Sequence, residues 1–260
     1  MRKGLLPLLG AAVALLCGSN PLYAQDNYEI QVYGSALVPV GATMVEVHSN
    51  FTTEGRRAIE DGVSPTNHAL HETLEITHGF SDWFETAIYT FTSAHSGGGW
   101  EWVGNHVRPR LAVPARLGWP VGVSLSQEIG YQRRKFSEDT WSWEIRPIID
   151  KQMGAFYWSF NPTLERSLGG ANKHQGFEFA PNAQISYNFS PRINGALEYY
   201  GALGPLSGFD SRRDQEHQII PSLNLNVSPD WEINIGVAKG LTPATDHYLV
   251  KTIIGRRFGR

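Results

Sequence analysis

Cysteine is almost absent: the 260-residue chain has one, Cys17. It falls in an N-terminal stretch with Arg2 and Lys3, the apolar run GLLPLLGAAVALL and the small residue Ala24, the pattern of a secretory signal peptide cut near Ala24. Leu16, not a small residue, precedes Cys17, which argues against lipoprotein-type cleavage. The mature chain is therefore expected to lack thiols, which excludes a disulfide framework, a thiol nucleophile and thiolate metal sites. Beyond Ala24 there is also no run of the roughly 18 apolar residues that a membrane helix needs. A basic excess is missing too. Without Arg2 and Lys3, 20 basic residues face 25 acidic ones, and no basic patch points to nucleic acid. Phosphate-loop and dinucleotide motifs are absent, because Gly97-Gly98-Gly99 runs into Trp100 rather than a helix with Lys and Ser or Thr.

Aromatics, by contrast, are plentiful, with 8 Trp, 10 Tyr and 12 Phe. Residues 177–189, FEFAPNAQISYNF, show how they are used. Phe177, Phe179, Pro181, Ala183, Ile185, Tyr187 and Phe189 alternate with Glu178, Ala180, Asn182, Gln184, Ser186 and Asn188, so one strand face is apolar and the other polar. The length suits the roughly 9 to 11 residues of a tilted strand crossing a bilayer. The same alternation recurs and predicts 12 strands, starting near Thr43, Asn67, Trp83, Asn105, Trp119, Trp141, Ala155, Gly176, Arg192, Glu216, Asp230 and Asp246.

Tight turns at residues 80–82, 115–118, 151–154, 190–191 and 228–229 alternate with longer polar or Gly-rich segments at 54–66, 94–104, 133–140, 166–175, 203–215 and 240–245. Short periplasmic turns and long outer loops are the layout of bacterial outer-membrane barrels. The expected fold class is thus all-β, an antiparallel transmembrane β-barrel. A secreted lipocalin-like barrel would alternate as well, but with its apolar face inward, usually on eight strands. The domain reading is a signal peptide at 1–24, a lead-in at 25–42 and the barrel at 43–258. Within the lead-in, YEIQVYGS at 28–35 also alternates; strand parity argues against its closing the barrel, and a periplasmic or lumen-lying position is expected.

If the apolar register faces lipid, the other register lines the lumen. It places there the charged candidates Glu46, Glu75, Arg108, Arg110, Glu128, Glu144, Arg146, Glu178, Glu198, Glu232 and Lys251, together with His48, His71, Asp150, Glu165 and Arg257. Carboxylates outnumber bases in this set. Arg108, Arg110, Arg146 and Glu144 read either as a charged constriction or as an ion-pair network that braces a filled lumen. Pro109, Pro147, Pro162, Pro181 and Pro221 fall in the apolar register, where a missing donor in a closed barrel calls for bulges or breaks in the ladder. Glu72 shares the face of Leu70, Leu74 and Ile76 and does not fit. In the third strand, Phe84, Thr86 and Ile88 compete with Ala87, Tyr89 and Phe91 for the lipid face.

Three segments carry a family resemblance: YEIQVYGSALVPVGATMVEVHSNFT at 28–52, NHALHETLEITHGFSDWFETAIYTF at 67–91 and DHYLVKTIIGRRF at 246–258. They resemble a family of bacterial outer-membrane barrels known as putative MetA-pathway of phenol degradation. The most specific part is His71 to Asp82. The resemblance implies a pore-like or transporter-like protein of the outer membrane and brings no catalytic residues with it. The chain ends Phe258-Gly259-Arg260 where such barrels commonly finish on an aromatic.

An enzyme would need a Ser, a His and an orienting group on one face, as in outer-membrane phospholipases. His48-Ser49-Asn50 offers the residues, but strand neighbours point to opposite faces. His95-Ser96 meets the same objection less strictly. His68, His71, His48 and His106 are weighed as metal ligands and read instead as polar lumen or rim residues. The reading is therefore a non-enzymatic channel or facilitator for small solutes, aromatic or hydrophobic ones included, without cofactor or metal. Its expected partners are outer-membrane lipids, an unidentified solute and the barrel-assembly machinery, with no nucleic acid. A closed structural or adhesive barrel with binding in the outer loops is the alternative, and an outer-membrane lipid hydrolase the third.

Overall fold

The computed structural model describes residues 27–95 and 98–259; the expected signal segment, Cys17 and Ser96 lie outside them. Twelve strands form: β1 (Thr43–Glu54), β2 (Ala69–Ser81), β3 (Phe84–His95), β4 (Trp100–Ala112), β5 (Gly122–Gln132), β6 (Asp139–Met153), β7 (Phe156–Gly170), β8 (Phe177–Ser190), β9 (Ile193–Ala202), β10 (Glu216–Leu225), β11 (Trp231–Gly240) and β12 (Tyr248–Phe258). Each pairs antiparallel with its chain neighbours, and β1 pairs with β12, so the sheet closes on itself and leaves no edge.

Two long segments are shorter than their composition suggests. β4 starts at Trp100 because Trp100 and Trp102 continue the pairing with β3, at the cost of one extra residue, Val103, between Trp102 and Gly104. β7 runs on to Gly170, paired with β6 through register shifts between Asp139 and Ser142. The connections shrink to residues 96–99 and 171–176.

The barrel is inside out. Ile185 is 61% exposed and Ile88 55%, whereas Glu75 and His48 are at or below 1%. Exposed Leu74, Ile76, Val107, Ile129, Leu197, Leu223, Ile235 and Ile254 form a belt around the wall. Exposed aromatics rim it at both ends: Trp100, Trp102, Trp141 and Tyr248 beside the long connections, and Trp83, Trp119, Phe156, Phe189 and Trp231 beside the short ones. An apolar band between aromatic girdles on a closed barrel is the surface that a bilayer covers.

Four of the five prolines are accommodated without bulges, and Pro181 is the β8 partner of Pro162. Paired residues are interrupted between Val107 and Arg110 on β4, Ile145 and Ile149 on β6, and Ile219 and Ser222 on β10, and each ladder resumes in the same register. Pro109, Pro147, Pro162 and Pro221 sit in these gaps, so a missing N–H costs ladder bonds but leaves the alternation intact. Glu72 remains on the outer face, where it accepts a hydrogen bond from Ser49 on the neighbouring strand at 2.8 Å. The third strand resolves with Glu85, Ala87, Tyr89 and Phe91 inward and Phe84, Thr86 and Ile88 outward.

Candidate functional site: an occupied lumen

Residues 27–42 form no strand; they run through the lumen from the end of the long connections to the end of the short turns. At the outer end Asn27 donates to Asp246, in the β11–β12 connection, at 2.8 Å. At the inner end Gly41 N–H donates to Gly79 of β2, and Gly79 N–H to Ala42. A side chain at Gly79 would collide with the carbonyls of Val38 and Pro39, so glycine is what lets the segment leave the lumen against the wall there.

A backbone without a ladder must find its partners in side chains, and the wall supplies them. The Tyr28 carbonyl accepts from Thr73 at 2.6 Å, Ile30 from Lys251 at 3.1 Å, Gly34 and Ala36 from Arg110 at 3.1 and 2.9 Å. Asn161 both accepts from Tyr33 N–H, at 2.9 Å, and donates to its carbonyl, at 3.0 Å, while Ser159 donates to the same carbonyl at 2.6 Å. Asp150 accepts from Ser35 N–H at 3.0 Å and Glu85 from Val38 N–H at 2.7 Å.

The apolar residues at alternate positions of the segment meet two walls. Ile30 and Val32 pack with Tyr200, Ile220, Ala238 and Leu249 of β9 to β12, and Tyr28 packs with Ala87, Tyr89, Phe91 and Val103 of β3 and β4. These inward apolar residues would be out of place in a water-filled pore; they face the segment instead.

Tyr33 stands in a cluster of arginines inside the barrel. The guanidinium carbons of Arg108, Arg146 and Arg110 lie 4.5, 4.9 and 5.7 Å from its ring centre, and its hydroxyl donates to Glu29. Each arginine also has a carboxylate: Arg108 with Glu75 at 2.8 Å, Arg110 with Glu85 at 2.6 Å, Arg146 with Glu144 at 2.7 Å and Glu29 at 3.6 Å. Such pairs offset the cost of burying charge, and cation–π contact adds to them.

A cavity lies toward each end of the barrel, and Gln31 lines both. The outer one, about 220 Å³, is lined by Glu128, Glu144, Arg146 and Glu178 among the candidates, and by Tyr28, Phe136, Trp143, Phe179 and Tyr200. The inner one, about 420 Å³, is lined by Glu46, Glu75, Arg108, Arg110, Glu198, Glu232 and Lys251. Every charged lumen candidate thus lies on one cavity or the other, but they form separate groups. Glu128 pairs with His106 at 2.5 Å, and Lys251 pairs with Glu198 at 2.5 Å, which also accepts from Tyr200 and Ser222. Glu232 accepts from Gln31 at 3.3 Å. Glu165 and Glu178 face each other across β7 and β8 on the outer cavity, and Arg257 pairs with Asp230 at the inner rim at 3.0 Å. At the outer rim, burial and the nearby Asp61 carboxylate hold the Glu138 carboxyl above the usual carboxylate range.

Sequence reasoning missed Glu29, Tyr33 and Glu85. The alternation of 28–35 was the available signal for the first two; Glu85 was hidden in the strand whose two faces are both apolar. The structure also separates His48, which is buried, from Ser49, which bonds to Glu72 on the outer face, so the two cannot share a proton. His71 contacts Ser93 at 3.3 Å and does not converge with His106, which pairs with Glu128.

Among solved structures, the COG4313 outer membrane channel from Pseudomonas putida F1 superposes with a TM-score of 0.57 at 10% identity, covering 88% of this chain and 100% of that one. The NanC porin gives 0.55 at 10% identity over 83% of this chain and 100% of its own, and the KdgM porin, solved in complex with disordered oligogalacturonate, 0.50 at 10% over 84% and 99%. These similarities establish a shared fold. No match to a curated protein was found. The family model described as Putative MetA-pathway of phenol degradation matches residues 28–252, from the first turn of the lumen segment into the last strand, and the chain belongs to that family.

Proposed function

We propose that this protein is an outer-membrane channel for small solutes, narrowed by its own residues 27–42. The observation that carries the reading is the pair of cavities facing opposite ends of the barrel, one beside residues 27–31 and the other beside residues 31–39, with Gln31 on both and Tyr33 packed among arginines between the walls. The outer cavity combines aromatic rings with carboxylates, which suits a small aromatic solute bearing a hydroxyl or other donor. The family's association with phenol degradation supports the same class, and the likeness to known channels supports the pore. The apolar belt with its two girdles supports an outer-membrane location, with lipid as the immediate partner and assembly of the barrel after removal of residues 1–24.

Flux in vesicles reconstituted with the purified barrel tests this. Tryptophan, a zwitterionic aromatic solute that lipid alone largely excludes, is expected to equilibrate faster than in protein-free vesicles, while a trisaccharide is excluded. Equal leakage with and without protein would contradict a channel. The filled level at Tyr33 favours a second reading, a barrel shut at rest, under which flux appears only after the lumen segment is displaced.

A further inference from the structure

One row of inward side chains is met by the lumen segment only through Gln31 on Glu232. Glu75 on β2 and Glu46 on β1 are direct cross-strand partners, and both Glu46 and Glu232 of β11 pair with the same residue of β12, Gly255. A Cβ at Gly255 would lie 2.7 Å from the Cγ of Glu46 and 2.6 Å from the Cε of Met44. The glycine therefore opens room for a carboxylate that has a second carboxylate on its other side. Like charges directly opposite each other destabilise a sheet, so a cation is called for.

Glu75 has one for half of its carboxylate. Its Oε1 accepts from Arg108 at 2.8 Å and from Thr77 at 2.7 Å, which fixes the group and aims Oε2 away from the guanidinium. Glu46 has no ion pair among the described residues, although it is 6% exposed. His48, fully buried two residues along the same face, lies with its Nε2 3.3 Å from Glu75 Oε2. Glu46 Oε1 and His48 Nδ1 lack hydrogen-bond partners, and His48 Nε2 and Glu75 Oε2 have only each other. Donor atoms from Glu46, His48 and Glu75 all lie within 4.8 Å of one another.

We propose that Glu46, His48 and Glu75 form a binding site for a divalent transition-metal ion of the zinc type in the inner half of the barrel. One imidazole and two carboxylates are a donor set for such an ion, and three protein ligands leave a position for water. Arg108 and Thr77 act as the outer shell that orients Glu75. Glu46 and Glu75 both line the inner cavity, which gives the ion its entry path. The site ties β1 to β2 beside the lumen segment and does not depend on the channel reading.

Zn²⁺ titrated calorimetrically into the barrel in detergent tests the site. The parent is expected to bind one ion saturably, and Glu46→Gln and His48→Gln each to weaken binding by more than the roughly 10- to 100-fold typical of losing an outer-shell partner. His174→Ala, in the β7–β8 connection, should bind as the parent does. If a variant fails to assemble, zinc X-ray absorption on the parent decides: a shell of one imidazole nitrogen and carboxylate or water oxygens supports the site, and several imidazoles would overturn it in favour of surface histidines. Absence of saturable binding by the parent, or binding that survives both substitutions, would also overturn it.

Discussion

The outer surface of this barrel and its lumen are built on different rules. Outside, each position needs only to be apolar, and Ile185, Leu197 and Ile235 are interchangeable partners of the lipid. Inside, many groups have a particular partner far away in sequence: Asn161 holds Tyr33, Lys251 holds Ile30, and Glu85 holds Val38. A hydrocarbon solvent imposes a pattern, whereas a filled lumen imposes pairings. Substitutions on the two faces should accordingly fail in different ways, the first by charge and depth alone and the second by the loss of one named contact.

The largest effect is expected inside. Arg108→Ala leaves Glu75 and Glu85, both at or below 1% exposed, without the guanidinium between them. Breaking a buried pair from one side costs about 3–5 kcal/mol. Urea denaturation of the detergent-solubilised barrel should show that loss, and a change under ~1 kcal/mol would mean that water already screens the cluster.

Next comes the outer face. Ile185→Arg puts a charge in the lipid belt and should cost about 2–4 kcal/mol near the midplane, whereas Gln184→Arg, on the next and inward position, should be milder. Heat-modifiable migration on unboiled gels reports assembly. Equal effects at the two positions would erase the distinction between the faces.

A smaller effect singles out the segment itself. Asn161→Ala removes two hydrogen bonds to Tyr33, worth about 0.5–1.5 kcal/mol each, without touching the apolar belt. The barrel should assemble normally, while residues 27–42 leave the lumen more often, seen as brief high-conductance bursts in a planar bilayer. Bursts no more frequent than in the parent would show that the Tyr33 contacts are dispensable.

The smallest is a selectivity shift. The outer cavity has seven carboxylates among its lining residues against three arginines, so a conducting path should prefer cations. Glu165→Gln with Glu178→Gln should reduce the reversal potential measured in a salt gradient. Anion preference in the parent would refute the balance of charge assigned to the lumen.

The same contrast explains what the sequence made legible. Twelve strands, their turns and the facing of β8 follow from period-two alternation, because lipid on one side and a polar interior on the other write it directly. β3 was ambiguous for a physical reason: Ile88 meets lipid while Tyr89 and Phe91 meet the lumen segment, so both faces are apolar. YEIQVYGS reads as a strand because Ile30 and Val32 meet an apolar wall while Glu29 and Tyr33 meet arginines, yet its backbone is paired by side chains such as Thr73, Lys251 and Arg110, which no local pattern announces. The inner row of Glu46, Glu75 and Glu232 was legible residue by residue, but their alignment depends on registers between four strands.

Residues 27–42 as the limit on conduction are tested most directly by single-channel recording of the parent barrel beside a variant lacking residues 27–37. The truncated barrel is expected to conduct several-fold more than the parent. A truncated barrel that is still heat-modifiable but conducts no more than the parent would contradict the assignment of the lumen segment as the constriction.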